Sequence, residues 1–240
     1  MKKTFSVKSL LVSMAIASSA ALSVAPATTQ AGEISYNAAV SNMYLWRGIN
    51  ISNPSPVVFG GADYSHDSGL YAGTWASSEG GFDNSSEWDL YAGYSPTFGD
   101  FGFTVGYVAY LYPYNNKDMF KQQSKGGGML SDYILGASYK DLSLTAYLNT
   151  ERSDSGNNYY ITADYAIGKF GLHAGMNKND DSAAEYTEFN VSYAATDNLT
   201  FTLSKAQGDG VKNIVSGLTG SATGEEGENP QLQVTYAFPI

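Results

Sequence analysis

Acidic, basic and imidazole side chains recur in this chain at alternate positions within otherwise apolar stretches. Asp63, Glu87, Asp89, Asp164 and Glu188 supply negative charge, Arg47 and Lys205 positive charge, and His173 a titratable ring. In a β-strand, residues two apart share a face, so charges confined to one parity line one wet surface. The acids outnumber the bases there, and a low-dielectric wall lined by one sign concentrates counter-ions, which is the chemistry of a cation-preferring passage. Arg47, beside Trp46 and before Gly48, reads as the cationic element of a constriction facing Asp63, Glu87 and Asp89. A structural ion pair or a solvated rim position is the alternative for it.

Catalytic chemistry finds less support in the residue pattern. His66, Asp67 and Ser68 contain the residue types of a hydrolase triad, but three consecutive residues in a tight turn cannot converge on one substrate atom. His173 lies on the inward parity between Gly171 and Gly175, whereas a lipid-cleaving site in a barrel wall needs its His and Ser on the outward side. Neither a metal-ligand cluster nor a Gly-rich phosphate loop is visible, and no cofactor is implied. The expectation is a protein that is not an enzyme.

The elements that must position the charges are strands. Phe103, Val105, Tyr107, Ala109 and Leu111 alternate with Thr104, Gly106, Val108 and Tyr110, and Leu142, Leu144, Ala146 and Leu148 alternate with Ser143, Thr145, Tyr147 and Asn149. The same rhythm recurs from about residue 33 to Phe238 in units of some ten residues, the length a tilted strand needs to cross a bilayer. The apolar parity carries no charge, as a lipid face requires. Long breaks at 48–56, 77–86, 113–131, 150–158, 178–185 and 206–230 alternate with short ones at 66–68, 95–100, 140–141, 168–169 and 195–198. The fold expected is all-β, a transmembrane antiparallel up-and-down β-barrel of about twelve strands, give or take two, with short periplasmic turns and long extracellular loops. A soluble β-sandwich also has short alternating strands. It gives no reason for long and short connections to alternate.

Aromatic residues at strand ends, Tyr44, Trp46, Tyr71, Trp75, Trp88, Tyr94, Tyr236 and Phe238, are expected at the membrane interfaces, and Tyr110, Tyr147 and Tyr160 are expected to point inward and fill the lumen. The 113–130 loop carries Lys117, Lys121 and Lys125 at four-residue spacing and reads as a solvated loop, with inward folding or contact with anionic lipopolysaccharide as alternatives. The 206–230 loop, with six glycines and Glu225, Glu226 and Glu228, reads as flexible and exposed.

Lys2 and Lys3, the apolar run from Leu10 to Val24 and the small-residue site around Ala31 read as a signal peptide over residues 1–31, leaving a barrel over 32–240. Removing it leaves 10 basic against 23 acidic residues, a charge of −13, which argues against nucleic-acid binding. Cysteine is absent, so this exported chain holds together without disulfides.

The stretch 42–77 carries an Arg-Gly pair after an aromatic strand (Tyr44 to Gly48), Asp63-Tyr64 before a tight turn, and the strand Ser68-Gly69-Leu70-Tyr71-Ala72-Gly73-Thr74-Trp75. It resembles the opening of the TorF family of outer-membrane porins, and the Trp88 to Tyr94 strand also suits that family. The resemblance covers about the first third of the chain after the signal peptide. It implies an exported barrel of unassigned substrate.

The combined reading is an outer-membrane barrel of a Gram-negative cell that passes small hydrophilic solutes or ions by passive diffusion, mildly preferring cations. Its expected partners are outer-membrane lipid, lipopolysaccharide and the barrel assembly machinery. The alternative is a non-conducting barrel serving adhesion or envelope integrity through its outer loops.

Overall fold

Each of the twelve wall strands runs unbroken for seven residues or more. The computed structural model describes residues 32–52, 55–78, 86–113, 120, 128–150 and 158–240. In chain order the elements are β1 (Glu33–Ser41), β2 (Leu45–Trp46), β3 (Ile49–Asn50), β4 (Val57–Ser65), β5 (Leu70–Ser77), β6 (Glu87–Tyr94), β7 (Thr97–Phe98), β8 (Phe101–Tyr112), β9 (Gly128–Tyr139), β10 (Leu142–Asn149), β11 (Tyr159–Ile167), β12 (Phe170–Lys178), β13 (Tyr186–Ala194), β14 (Leu199–Gln207), helix α1 (Asp209–Thr219) and β15 (Gln231–Ala237). Strands β2 and β3 pair only with each other, and β7 only extends a turn. The remaining twelve pair antiparallel in sequence order.

Closure comes at the first and last strands. β15 pairs with β1 through Ala39↔Ala237, Val40↔Tyr236 and Ser41↔Thr235, while β1 pairs with β4 along its whole length. Asn42 lengthens this short seam with its side chain: Nδ2 donates to the Leu232 carbonyl at 3.0 Å and Oδ1 accepts from the Val234 N–H at 2.7 Å, as a further strand residue would. The sheet therefore closes into an antiparallel barrel of twelve strands. All five short turns lie at the rim that holds both chain ends, and all six long connections lie at the other.

The outer face is apolar and open. Phe103, Val105, Leu144 and Leu203 are each more than half exposed, and so are Ile34, Tyr36 and Val58. No helix among the described residues is long and apolar enough to cross a membrane. The strands supply the apolar belt instead, and closure leaves no unpaired edge in it.

Three boundaries differ from the sequence reading. β1 ends at Ser41 and does not reach Arg47, so the first connection covers 42–56. β9 begins at Gly128, inside the segment read as loop. The 206–230 connection is no simple flexible loop: it holds α1, whose Val211 and Val215 are buried against Ile49, Tyr186 and Ala206. Lys117, Lys121, Lys125 and the signal peptide lie outside the described residues.

Leu144→Arg, which places a charge near the middle of the lipid face, should cost about 2–4 kcal/mol of folding stability in phospholipid vesicles. Ser143→Arg, on the lumen side of the same strand, should cost less. Reversible denaturant unfolding of the two variants measures the difference.

Candidate functional site

The site begins with a local conflict in the first connection. Tyr44 to Asn50 alternate like a strand, but Arg47 and Gly48 take φ of 44° and 77°, both left-handed. Positive φ at both central residues makes the two-residue turn that joins β2 to β3 in a hairpin. For Arg47 this conformation is strained, at a cost of order 1–3 kcal/mol. Ile51 N–H donates to the Tyr44 carbonyl at 2.9 Å and Tyr44 N–H to Ser52 Oγ at 2.7 Å, closing the base of the hairpin. Its side chains are too apolar for water: Leu45 and Ile49 are 0% and 1% exposed. The hairpin folds into the barrel and brings its tip against β9, β10, β11, β13 and β14.

At that tip Arg47 Nη2 donates to Asp132 Oδ2 on β9 at 2.9 Å, and both side chains are nearly excluded from solvent. Tyr110 donates its hydroxyl to the same oxygen at 3.2 Å. The guanidinium lies 4.4 Å from the ring centre of Tyr160, 4.8 Å from Trp46 and 5.5 Å from Tyr147. Burial opposes the arginine's charge, but Asp132 and the surrounding phenols outweigh it, so the guanidinium stays protonated. Three rings around one cation supply attraction that a desolvated guanidinium cannot obtain from water. Gly48 has to be glycine for a second reason besides its φ: a Cβ there would run into the Glu188 side chain. Helix α1 lies over the hairpin and is tied down by Asn213 Nδ2 to the Ala183 carbonyl at 2.7 Å and by a Lys212–Glu228 ion pair at 3.7 Å.

Below the tip lies a second polar group. His173 Nδ1 is 2.6 Å from Asp164 Oδ1, its cross-strand neighbour, and Nε2 is 3.4 Å from Glu188 Oε1. Tyr160 donates its hydroxyl to Glu188 Oε1, and Asn190 Nδ2 donates to Oε2 at 3.1 Å. Gly175 makes room for this, since a Cβ would meet both the Tyr160 hydroxyl and Glu188. A third group sits across the lumen on β6, where Glu87 accepts a 3.1 Å hydrogen bond from the Tyr44 hydroxyl. Burial, then Glu87 and Asp89, push the Tyr44 phenol well above its ordinary value, so it remains a donor.

The predicted lumen residues sort into these groups with two corrections. Asp63, Glu87, Asp89, Asp164, His173 and Glu188 all face inward, but Arg47 meets none of the three acids expected opposite it. Asp63 sits nearer the short-turn rim, where it accepts from Tyr91 at 2.5 Å and from Asn37 at 3.2 Å. Lys205 does not line the lumen: it shares the outward parity of Leu199, Phe201 and Leu203 and is exposed, while Ser204 and Ala206 point in. Tyr110, Tyr147 and Tyr160 lie in the interior, packed with Val108 and Ile134.

Among the interface aromatics, Trp88, Tyr94, Tyr236 and Phe238 face out. The other four are internal. Tyr44 and Trp46 belong to the inward hairpin, and the inward parity of β5 runs Tyr71, Gly73, Trp75, Ser77, which buries Tyr71 and packs Trp75 against Tyr44 in a tilted pair at 5.8 Å. The residue missed entirely is Asp132. Its parity was available, since Tyr133 and Leu135 face out, but it lay next to a segment read as loop. His66, Asp67 and Ser68 form an exposed turn in which His66 Nδ1 lies 2.8 Å from Ser68 Oγ.

A closed twelve-strand wall, apolar outside and charged inside, defines a β-barrel of the kind that spans membranes. The family described as "Bacterial protein of unknown function (Gcw_chp)" matches residues 25–212, and the chain belongs to that family. The narrower TorF assignment rests on the motifs of the opening strands alone. No curated protein shows significant similarity to the chain. Solved structures similar in outline include the KdgM porin, at 10% identity and a TM-score of 0.49, covering 87% of this chain and 99% of that one. Outer membrane phospholipase A from Escherichia coli matches at 11% identity and a TM-score of 0.43, covering 84% and 90%.

Removing either partner of the Arg47–Asp132 pair leaves a buried charge alone. Arg47→Ala and Asp132→Ala should each destabilise the seated hairpin by about 3–5 kcal/mol. The double variant should lose less than the sum of the two. Hydrogen exchange at the Ile51 amide, which is held by the Tyr44 carbonyl, reports the opening.

Proposed function

We propose that this chain is a porin-like barrel of a Gram-negative outer membrane whose first connection closes its own lumen, and that small hydrophilic solutes or ions pass, cations ahead of anions, when the hairpin yields. The observation that carries this reading is the inward hairpin held at one charged point, Arg47 on Asp132. A plug needed only for stability would be secured by apolar packing at least as well, since a buried ion pair is weak support for stability. An ion pair that forms only in one geometry suits a plug with two positions.

The cation preference is supported by the balance of the interior. Asp63, Glu87, Asp89, Asp132, Asp164 and Glu188 face inward against Arg47 and His173. Such a lumen concentrates cations once it conducts. Export through a signal peptide over residues 1–31, insertion by the barrel assembly machinery, and contact with outer-membrane lipid and lipopolysaccharide belong to the same proposal. Membership of TorF would agree with it.

One observation favours a second reading. Tyr160 and Leu45 are wholly buried and Tyr147 nearly so, which fills the barrel at the height of the hairpin. A permanently closed barrel whose outer connections serve adhesion or envelope integrity would need this packing and no gate.

Planar-bilayer recording of the mature protein separates the two. The wild-type barrel should show rare, brief openings. Arg47→Ala should raise the open fraction at least tenfold, with a reversal potential in a salt gradient on the cation side. A folded variant with 43–51 replaced by a short Gly-Ser link that passes no current would overturn the channel reading.

A further inference from the structure

Of the lumen acids, one pair lacks the compensation that the others have. Asp132 has Arg47, Asp164 and Glu188 have His173, and Asp63 has the Tyr91 hydroxyl and the Asn37 amide. Glu87 and Asp89, two apart on the inward face of β6, are 1% and 0% exposed. Neither oxygen of Asp89 has a hydrogen-bond partner among the described residues, and neither does Glu87 Oε1. Tyr44 contributes one hydrogen bond to Glu87, the Tyr112 hydroxyl and the Asp89 carboxyl also lie within hydrogen-bonding reach of it, and the charge of Arg47 acts on it from a distance without forming an ion pair. Two adjacent carboxyls withdrawn from water, with three oxygens that no donor among the described residues satisfies in the geometry shown, are unfavourable as anions unless a proton or a cation joins them.

We infer that Glu87 and Asp89, with the hydroxyls of Tyr44 and Tyr112, form a binding site for a divalent cation. The donors are all oxygen, which is the set for a hard cation and not for zinc or copper. No three His, Asp or Glu side chains gather as a metal cage among the described residues, so the site has two carboxylates and is irregular. Calcium tolerates such a shell and completes it with water, whereas magnesium demands a near-ideal octahedron. Because Glu87 is the first residue of β6, the site lies at the long-connection end. A cation there binds the first connection, through Tyr44, to the opposite wall. This inference does not rest on conduction, and it holds for an open or a closed barrel.

The test is a titration of chelator-treated, refolded barrel in detergent with terbium, whose emission is sensitised by nearby tyrosine and tryptophan. Wild-type protein should show saturable emission at one site per chain, displaced by calcium. Glu87→Gln and Asp89→Asn should each weaken binding at least tenfold, and Glu225→Gln, in the outer connection, should leave it unchanged. A second readout covers variants that fold poorly. In chelator Asp89→Asn should melt above wild type, because charge repulsion is relieved, and with calcium the order should reverse. No saturable binding, binding in the two lumen variants as tight as in wild type, or a wild-type melting temperature indifferent to calcium would each overturn the site and leave a pair that shares a proton.

Discussion

Inside hydrocarbon there is no water to receive a free N–H or carbonyl, and every backbone polar group in the wall has to find its partner within the protein. That constraint obliges the last strand to return to the first. The return is narrow, with three residue pairs between β1 and β15, and the Asn42 amide supplements it by imitating a backbone. Sequential antiparallel pairing around an even number of strands brings both chain ends to one rim. It also sends every long connection to the opposite rim, which is where the charged and aromatic elements of the site converge.

A wall held this rigidly decides what happens inside it. Twelve strands enclose more space than small inward side chains fill, and the remainder is taken up by the chain itself. The β2–β3 hairpin supplies Leu45 and Ile49, the wall supplies Tyr110, Tyr147 and Tyr160, and α1 covers the hairpin with Val211 and Val215. Such packing holds the hairpin inside without dictating where its tip must sit. Arg47 makes its position specific, because its charge is tolerable only where Asp132 and three aromatic rings meet. The left-handed backbone at Arg47 is the cost of aiming the guanidinium there.

The interior charges form three separate groups and do not make one continuous stripe. Arg47–Asp132 and the Asp164–His173–Glu188 group adjoin through Tyr160, which touches the guanidinium with its ring face and Glu188 with its hydroxyl. The hairpin tip is therefore sensitive to the state of both. Glu87 and Asp89 stand apart from both, joined to the first connection by the Tyr44 hydrogen bond. One connection thus contacts two walls of the barrel at once, through Tyr44 on Glu87 and Arg47 on Asp132.

Strand number, antiparallel order, lipid face and the inward direction of Asp63, Glu87, Asp89, Asp164, His173 and Glu188 were legible in the amino-acid order. They follow from a period of two imposed by a bilayer, and such a period is a local property. Where it misled, the reason was equally local. Tyr44 and Trp46 look like interface aromatics because alternation continues past Ser41, and nothing in the neighbouring residues shows that the strand has stopped and turned inward. Lys205 could have been placed outward from its own parity with Phe201 and Leu203. The partners, however, are a matter of tertiary structure. Arg47 meets Asp132, 85 residues away, and not Asp63, Glu87 or Asp89, because strand order and register around a closed wall determine which side chains share a height. Only that closure decides which buried acids are paired with a basic neighbour and which, like Asp89, have no such neighbour among the described residues.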